Sequence, residues 1–212
     1  SRCLVGSEMC IRDRGWVDNK PTVSYKPQHI DIDMDCSVQL WLDSELGAKW
    51  RSGEFNVNVI KALGVDQLLP KRVKKLSGGE RQAVSIAICL GRDADLYLLD
   101  EPSAHLDANA RMEAAKAIRR TMESNEKSAL VIDHDVYFID ILSDSLMVFG
   151  GRGGQHGNAS GPYPLREGMN QFLQDVNITF RRDHDSKRPR INKPESRKDR
   201  EQQTSGDYYS FC

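Results

Sequence analysis

The sequence predicts an α/β fold built on a parallel sheet, from three observations. Asp95–Leu99 and Ala129–Ile132 are apolar runs of strand length bounded by charge, the pattern of buried parallel strands. Between them, Glu113–Glu123 is Ala-rich and helix-forming. Ahead of both, Ser77 is followed three residues later by Glu80, a capping box that opens a helix through Gln82, Val84, Ile86, Ile88 and Leu90.

In chain order, residues 1–14 carry Cys3, Cys10 and mixed charges without periodicity, and read as a non-native or divergent leader. Residues 15–28 supply a strand. Residues 29–75 form a helical subdomain with Ser44–Trp50 and Asn56–Leu63 as its helices. Residues 76–149 hold the capped helix and the two strands. The glycines from Gly150 to Gly161 read as a flexible loop. A helix near Glu167–Asp175 follows, and the domain spans residues 15–177.

Charge divides the chain. Ser1–Asn177 holds 21 Lys+Arg against 25 Asp+Glu, a net of −4, while Ile178–Cys212 holds 9 against 6, a net of +3; together they give the chain's −1. Residues 178–212 are therefore a basic tail, read either as solvated or as a contact to RNA phosphates or to another domain. No run reaches membrane-spanning length, so no membrane association is expected. Five cysteines without a C-x-x-C pair argue against a disulfide framework and against a zinc or iron–sulfur site within these residues. The expected compartment is the cytosol.

Two glycines in the first turn of the capped helix, Gly78 and Gly79, leave its N–H groups uncovered for an anion. Taken alone, such a cap is an ordinary helix start. Asp100 and Glu101 close the first apolar run, at the sheet edge where ligands of open α/β folds bind. There a carboxylate can hold Mg²⁺ through its water shell, and its neighbour can polarise an attacking water. His134 follows the second run and can hydrogen-bond a phosphate oxygen.

Leu-Ser-Gly-Gly-Glu at 76–80, the strand ending in Asp-Glu-Pro at 100–102, Ser-Ala-x-Leu-Asp at 103–107 and the later His134 together resemble an ABC-type ATPase. The resemblance makes Ser77, Gly78, Gly79 and Glu80 the signature motif, Asp100 Walker B, Glu101 the catalytic base, Asp107 the D-loop and His134 the switch histidine. Gln28, in Val-Ser-Tyr-Lys-Pro-Gln, would be the Q-loop residue that senses Mg²⁺ and the γ-phosphate. Thr-Phe-Arg-Arg-Asp at 179–183, Arg-Pro-Arg-Ile-Asn-Lys at 188–193 and Ser-Gly-Asp-Tyr-Tyr at 205–209 narrow the resemblance to the class E ABC proteins, ribosome-recycling ATPases also called RNase L inhibitors. Roughly residues 20–212 are covered, and Arg181, Arg182, Arg188 and Arg190 match the hinge.

The resemblance implies a partial ABC-type P-loop NTPase domain, with a parallel-sheet core and a helical subdomain. It implies ATP and Mg²⁺, a first ABC domain of the same full-length protein as partner, and contacts with the small ribosomal subunit, a release factor and rRNA. The family's iron–sulfur clusters belong to a domain outside this sequence. No Gly-x-x-x-x-Gly-Lys-Ser/Thr occurs in the 212 residues, so the P-loop strand and helix are expected upstream. Arg81-Gln82-Ala83 and Asp133 depart from the family's Leu-Gln-Arg and Glu. An ABC transporter's ATPase subunit and an inactive fragment are the alternatives.

Overall fold

The computed structural model describes residues 20–29, 34–152, 156–183 and 189–210. The leader at 1–14, the start of the first predicted strand and Arg188 lie outside them. The chain divides into two units, Ser1–Pro102 with Arg120–Ile132, and Ser103–Arg119 with Asp133–Cys212.

The first unit is organised by three parallel strands in the order β1 (Val23–Lys26), β2 (Leu96–Asp100) and β3 (Ser128–Ile132). Val23 pairs with Leu96, Lys26 with Leu99, and Asp100 with Ile132. The parallel sheet expected from the two apolar runs is present, with the acidic pair at its C-terminal edge. β1 inverts the usual alternation: Ser24 and Lys26 are buried, while Val23 and Tyr25 are 47% and 40% exposed. Leu130 and Ile132 of β3 are also exposed, at 48% and 57%.

Between β1 and β2 lies the helical segment. Helix α1 (Val38–Leu46) starts at Ser37, whose hydroxyl accepts from the Leu40 N–H, and ends at Gly47 in a positive-φ conformation. The helix expected at Ser44–Trp50 is therefore displaced. Its predicted middle is the C-terminal stop of α1, because Gly47 reverses the chain there; Lys49–Arg51 is only a 3₁₀ turn. A short helix α2 (Gly53–Phe55) runs on into a π turn, Asn56–Lys61, near the predicted second helix.

Helix α3 (Gly78–Gly91) is the element that the capping box predicts. Gln82 to Gly91 are all buried, because the helix packs against α1, β1, β2 and the π turn. Gly91 lies against α1: a Cβ there would lie 2.4 Å from the Leu46 Cδ1. Helix α4 (Ala108–Asn125) links β2 to β3 and is longer than its Ala-rich centre. The boundary between the units falls within it.

In the second unit, α5 (Val136–Leu142) leads into a hairpin of β4 (Ser145–Arg152) and β5 (His156–Pro164). This corrects the flexible loop expected at Gly150–Gly161. The glycines there serve close strand pairing: Gly151 has φ 128°, and a Cβ on it would meet the His156 carbonyl oxygen at 2.3 Å. Helix α6 (Leu165–Asp175) appears as expected. The basic tail folds as well, into β6 (Phe180–Arg182), β7 (Pro189–Ile191), helix α7 (Arg197–Ser205) and β8 (Tyr209–Ser210). β6 is the central strand, antiparallel to β7 and parallel to β8.

A core of Met169, Leu173, Phe180, Tyr208 and Tyr209 joins this small sheet to α6. Beside it lies a buried polar network that charge counting does not reveal. Thr179 donates to Asp199, the Asn192 amide donates to Thr179 and Gln202, and Gln202 donates to the carbonyls of Phe180 and Asp207. The solvated-tail reading does not hold for these residues.

Candidate functional site

In the first unit, the N-terminus of α3 has both halves of the capping box. The Ser77 Oγ accepts from the Glu80 N–H at 3.3 Å, and the Glu80 Oε2 accepts from the Ser77 N–H at 3.0 Å. Lys71 Nζ donates to the other carboxylate oxygen at 2.6 Å. The Lys71 ammonium, and then the Ser77 N–H, hold the Glu80 carboxyl below the usual glutamate range. Glu80 is thus committed to the cap and to Lys71. The N–H groups of Gly78 and Gly79 head the helix, where no intrahelical acceptor exists, and Gly78 is exposed. An incoming phosphate meets those groups and the helix dipole.

Asp100 ends β2, and Glu101 follows it with φ 45°, a left-handed conformation that costs a non-glycine residue about 1–2 kcal/mol. The Glu101 N–H donates to the Ile132 carbonyl at 2.7 Å, which carries the β2–β3 ladder one residue past the strand. Its carbonyl accepts from Gln82 Nε2 at 2.6 Å and from Lys26 Nζ at 3.3 Å; Lys26 Nζ also donates to the Asp100 carbonyl at 2.6 Å. Gln28, two residues beyond β1, is half-buried. Gln28, Asp100 and Glu101 therefore sit at the C-terminal ends of neighbouring strands in the unit that also holds the α3 terminus.

The second unit holds the other two candidates. Asp107 caps α4: its Oδ1 accepts from the N–H groups of Asn109 and Ala110 at 2.9 and 2.8 Å. His134 is exposed on a loop fixed on both sides. Before it, Asp133 accepts from the Ser103 N–H and hydroxyl at 2.9 and 2.7 Å and from the Asp135 N–H at 2.9 Å. After it, Asp135 caps α5 through the Phe138 N–H and pairs with Arg111 at 2.6 Å. Asp133 thus anchors Ser103, at the start of the segment that leads to Asp107.

Of the arginines expected at a hinge, Arg182 meets Asp140 of α5 at 2.7 and 2.9 Å, and Arg190 pairs with Asp183 at 3.0 Å. Arg181 is half-buried on β6 and pairs in register with Arg190. The contacts of Lys26, Gln82, Asp133 and Asp140 lie beyond the reach of motif reading, since each acts on a partner 19 to 74 positions away.

Among the described residues no three His, Cys, Asp or Glu side chains converge on one point. Mg²⁺ needs no such cluster, because one or two oxygen ligands suffice when water and nucleotide phosphates complete its shell. Asp100 and Gln28 offer oxygen donors of that kind.

A parallel sheet ending in Asp-Glu, with a capped Ser-Gly-Gly-Glu helix in the same unit, defines an ABC-type ATPase domain. A family model described as ABC transporter matches residues 8–104. The chain is 46% identical over 187 residues to ABC transporter E family member 1 of Arabidopsis thaliana, covering 88% of this chain and 31% of that protein. It is 40% identical over 197 residues to translation initiation factor RLI1 of Saccharomyces cerevisiae, covering 93% and 32%. ABC transporter E family member 3 of Arabidopsis thaliana is 37% identical over 140 residues, covering 64% and 77%. A crystal structure of archaeal ribosomal stalk protein aP1 with archaeal ribosome recycling factor aABCE1 superposes with a TM-score of 0.88 and 47% identity, covering 97% of this chain and 41% of that one. The chain belongs to the ABC transporter E family. It spans about a third of the length of the first two relatives.

Proposed function

We propose that the chain is the C-terminal part of the second nucleotide-binding domain, with the C-terminal hinge, of a twin-ABC ATPase that splits ribosomes into subunits. The observation that carries this reading is the sheet edge: Asp100 and Glu101 stand at the end of β2, with a capped, glycine-headed helix in the same unit. The likeness to a ribosome recycling factor across nearly the whole chain supports the ribosomal role. Asp100 and Gln28 would hold Mg²⁺, which when bound neutralises charge between the phosphates. Glu101 orients and deprotonates the attacking water, and His134 hydrogen-bonds the γ-phosphate. Ser77 and the N–H groups of Gly78 and Gly79 contact the γ-phosphate of a second ATP, held by the first ABC domain. Asp107 lies on the D-loop between the two nucleotides.

The P-loop for this domain's own ATP comes from residues outside this sequence, so the 212 residues alone are expected not to hydrolyse ATP. The exposed apolar positions Val23, Tyr25, Leu130 and Ile132 support further domain structure packing on this sheet. Iron–sulfur clusters belong to a separate amino-terminal domain. The partners are the small ribosomal subunit with its rRNA and a release factor, and the setting is the cytoplasm. Among the described residues no helix is long and apolar enough to cross a membrane.

Ser77→Arg in the full-length protein tests the reading. The Arg side chain occupies the phosphate position at the α3 terminus, so ATP turnover and subunit splitting should fall by roughly 10²-fold. Nucleotide binding on this domain's own P-loop should persist. Unchanged turnover, measured as phosphate release, would overturn the assignment of the Ser-Gly-Gly-Glu end.

A further inference from the structure

Lys26 is 1% exposed at a position of β1 where an apolar residue would be the cheaper occupant. An ammonium there loses its water shell, and a Leu or Met would fill the volume without that cost. Its amine donates to the Asp100 carbonyl at 2.6 Å and to the Glu101 carbonyl at 3.3 Å. The second of these carbonyls also accepts from Gln82, 2% exposed on α3. The Glu101 N–H is held by β3 through Ile132. Both peptide groups of Glu101 are therefore fixed by three different elements, and the backbone between them is in the left-handed region. Such a conformation persists where its surroundings over-determine it.

We infer that Lys26 and Gln82 are positioning residues for Glu101: together they set the orientation of its backbone and so aim its carboxylate at the attacking water. This rests on the reading of Glu101 as the base, and it adds a physical tie from the Q-loop strand and the signature helix to that residue. Lys26 lies two positions before Gln28, and Gln82 five positions after Ser77. The same clamp thereby joins the strand that leads to the Mg²⁺-sensing residue with the helix that serves the opposite nucleotide.

The test uses the full-length protein and steady-state ATP turnover, followed by radiolabelled phosphate release so that slow rates are measured. Lys26→Met should lower kcat by about 10- to 100-fold, the cost of small misplacements of a reacting group, and leave KM for ATP within about twofold. Gln82→Leu removes the other donor to the same carbonyl without touching a buried charge, and should act in the same direction. On a Glu101→Gln background Lys26→Met should cause little further loss, because a positioning residue acts only through the group it positions. Unchanged kcat in both single variants, or an equal fold loss on both backgrounds, would overturn the inference. So would failure of both single variants to fold, which would make the clamp a folding element only. If Glu101→Gln itself leaves turnover intact, the site reading falls instead, and the two failures are thus told apart.

Discussion

Glu101→Gln in the full-length protein is expected to lower ATP turnover by about 10²- to 10³-fold while ATP stays bound. A general base contributes in that range, and an amide cannot take the proton from water. The fold has no reason to suffer. Glu101 is held by its backbone, with its N–H on Ile132 and its carbonyl on Gln82 and Lys26, and the substitution leaves both peptide groups in place. Gln is also close to Glu in volume, so the left-handed turn at φ 45° meets no new demand. The measurement is single-turnover phosphate release beside retention of labelled ATP by filter binding. Loss of turnover together with loss of retained ATP would indicate a damaged nucleotide site. Wild-type turnover with ATP retained would remove Glu101 from the chemistry.

What the sequence made legible was local. The capping box is an i, i+3 pattern and it appears with both reciprocal hydrogen bonds. β2 and β3 are continuous apolar runs, so their extent and the position of Asp100 and Glu101 at the edge could be read directly. Failures came where one residue type serves two purposes. Gly47 fits the interior of a helix pattern, although a positive-φ C-terminal stop needs a glycine equally well. The glycines from Gly150 to Gly161 suggest loop freedom, whereas Gly151 is required because the opposite strand leaves no room for a Cβ. The basic tail was judged by its charge, yet its order rests on Thr179, Asn192, Asp199 and Gln202, polar residues whose partners the sequence does not name. Lys26 illustrates the limit: it stands among residues read for a motif, and the carbonyl its buried amine reaches lies 74 positions away.

Asp140→Ala is expected to loosen the small C-terminal sheet by about 3 kcal/mol, the cost of leaving a largely buried ion pair with one partner. The Asp140 side chain is 4% exposed; it accepts two bonds from Arg182 of β6 and one from the hydroxyl of Tyr209 on β8. Without it, the Arg182 guanidinium and the Tyr209 hydroxyl, which also bond each other at 3.0 Å, lose their shared carboxylate acceptor. Amide hydrogen exchange reads this locally: protection at Phe180, whose N–H donates to the Tyr208 carbonyl, should drop by about 10²-fold. The pH dependence runs against the usual salt-bridge expectation. Burial pushes the Asp140 carboxyl above the ordinary aspartate range, and the Arg182 charge and hydrogen bond only partly offset this. A folded-state value raised above the unfolded one favours the protonated form in the fold. The contribution is therefore fully present below the unfolded pKa of about 3.9 and is lost as pH rises through the raised folded value. Asp140→Asn, which keeps an acceptor and cannot ionise, should lose less protection than Asp140→Ala, and should gain on the wild type as pH rises through that window. Because α5 is capped by Asp135, directly after His134, and carries Asp140 in its last turn, one helix joins the His134 loop to the small C-terminal sheet. Weakening Asp140 should leave the exchange of the Asp135-capped first turn unchanged, and a parallel loss of protection there would show that the Asp140–Arg182 pair also holds the His134 loop in place.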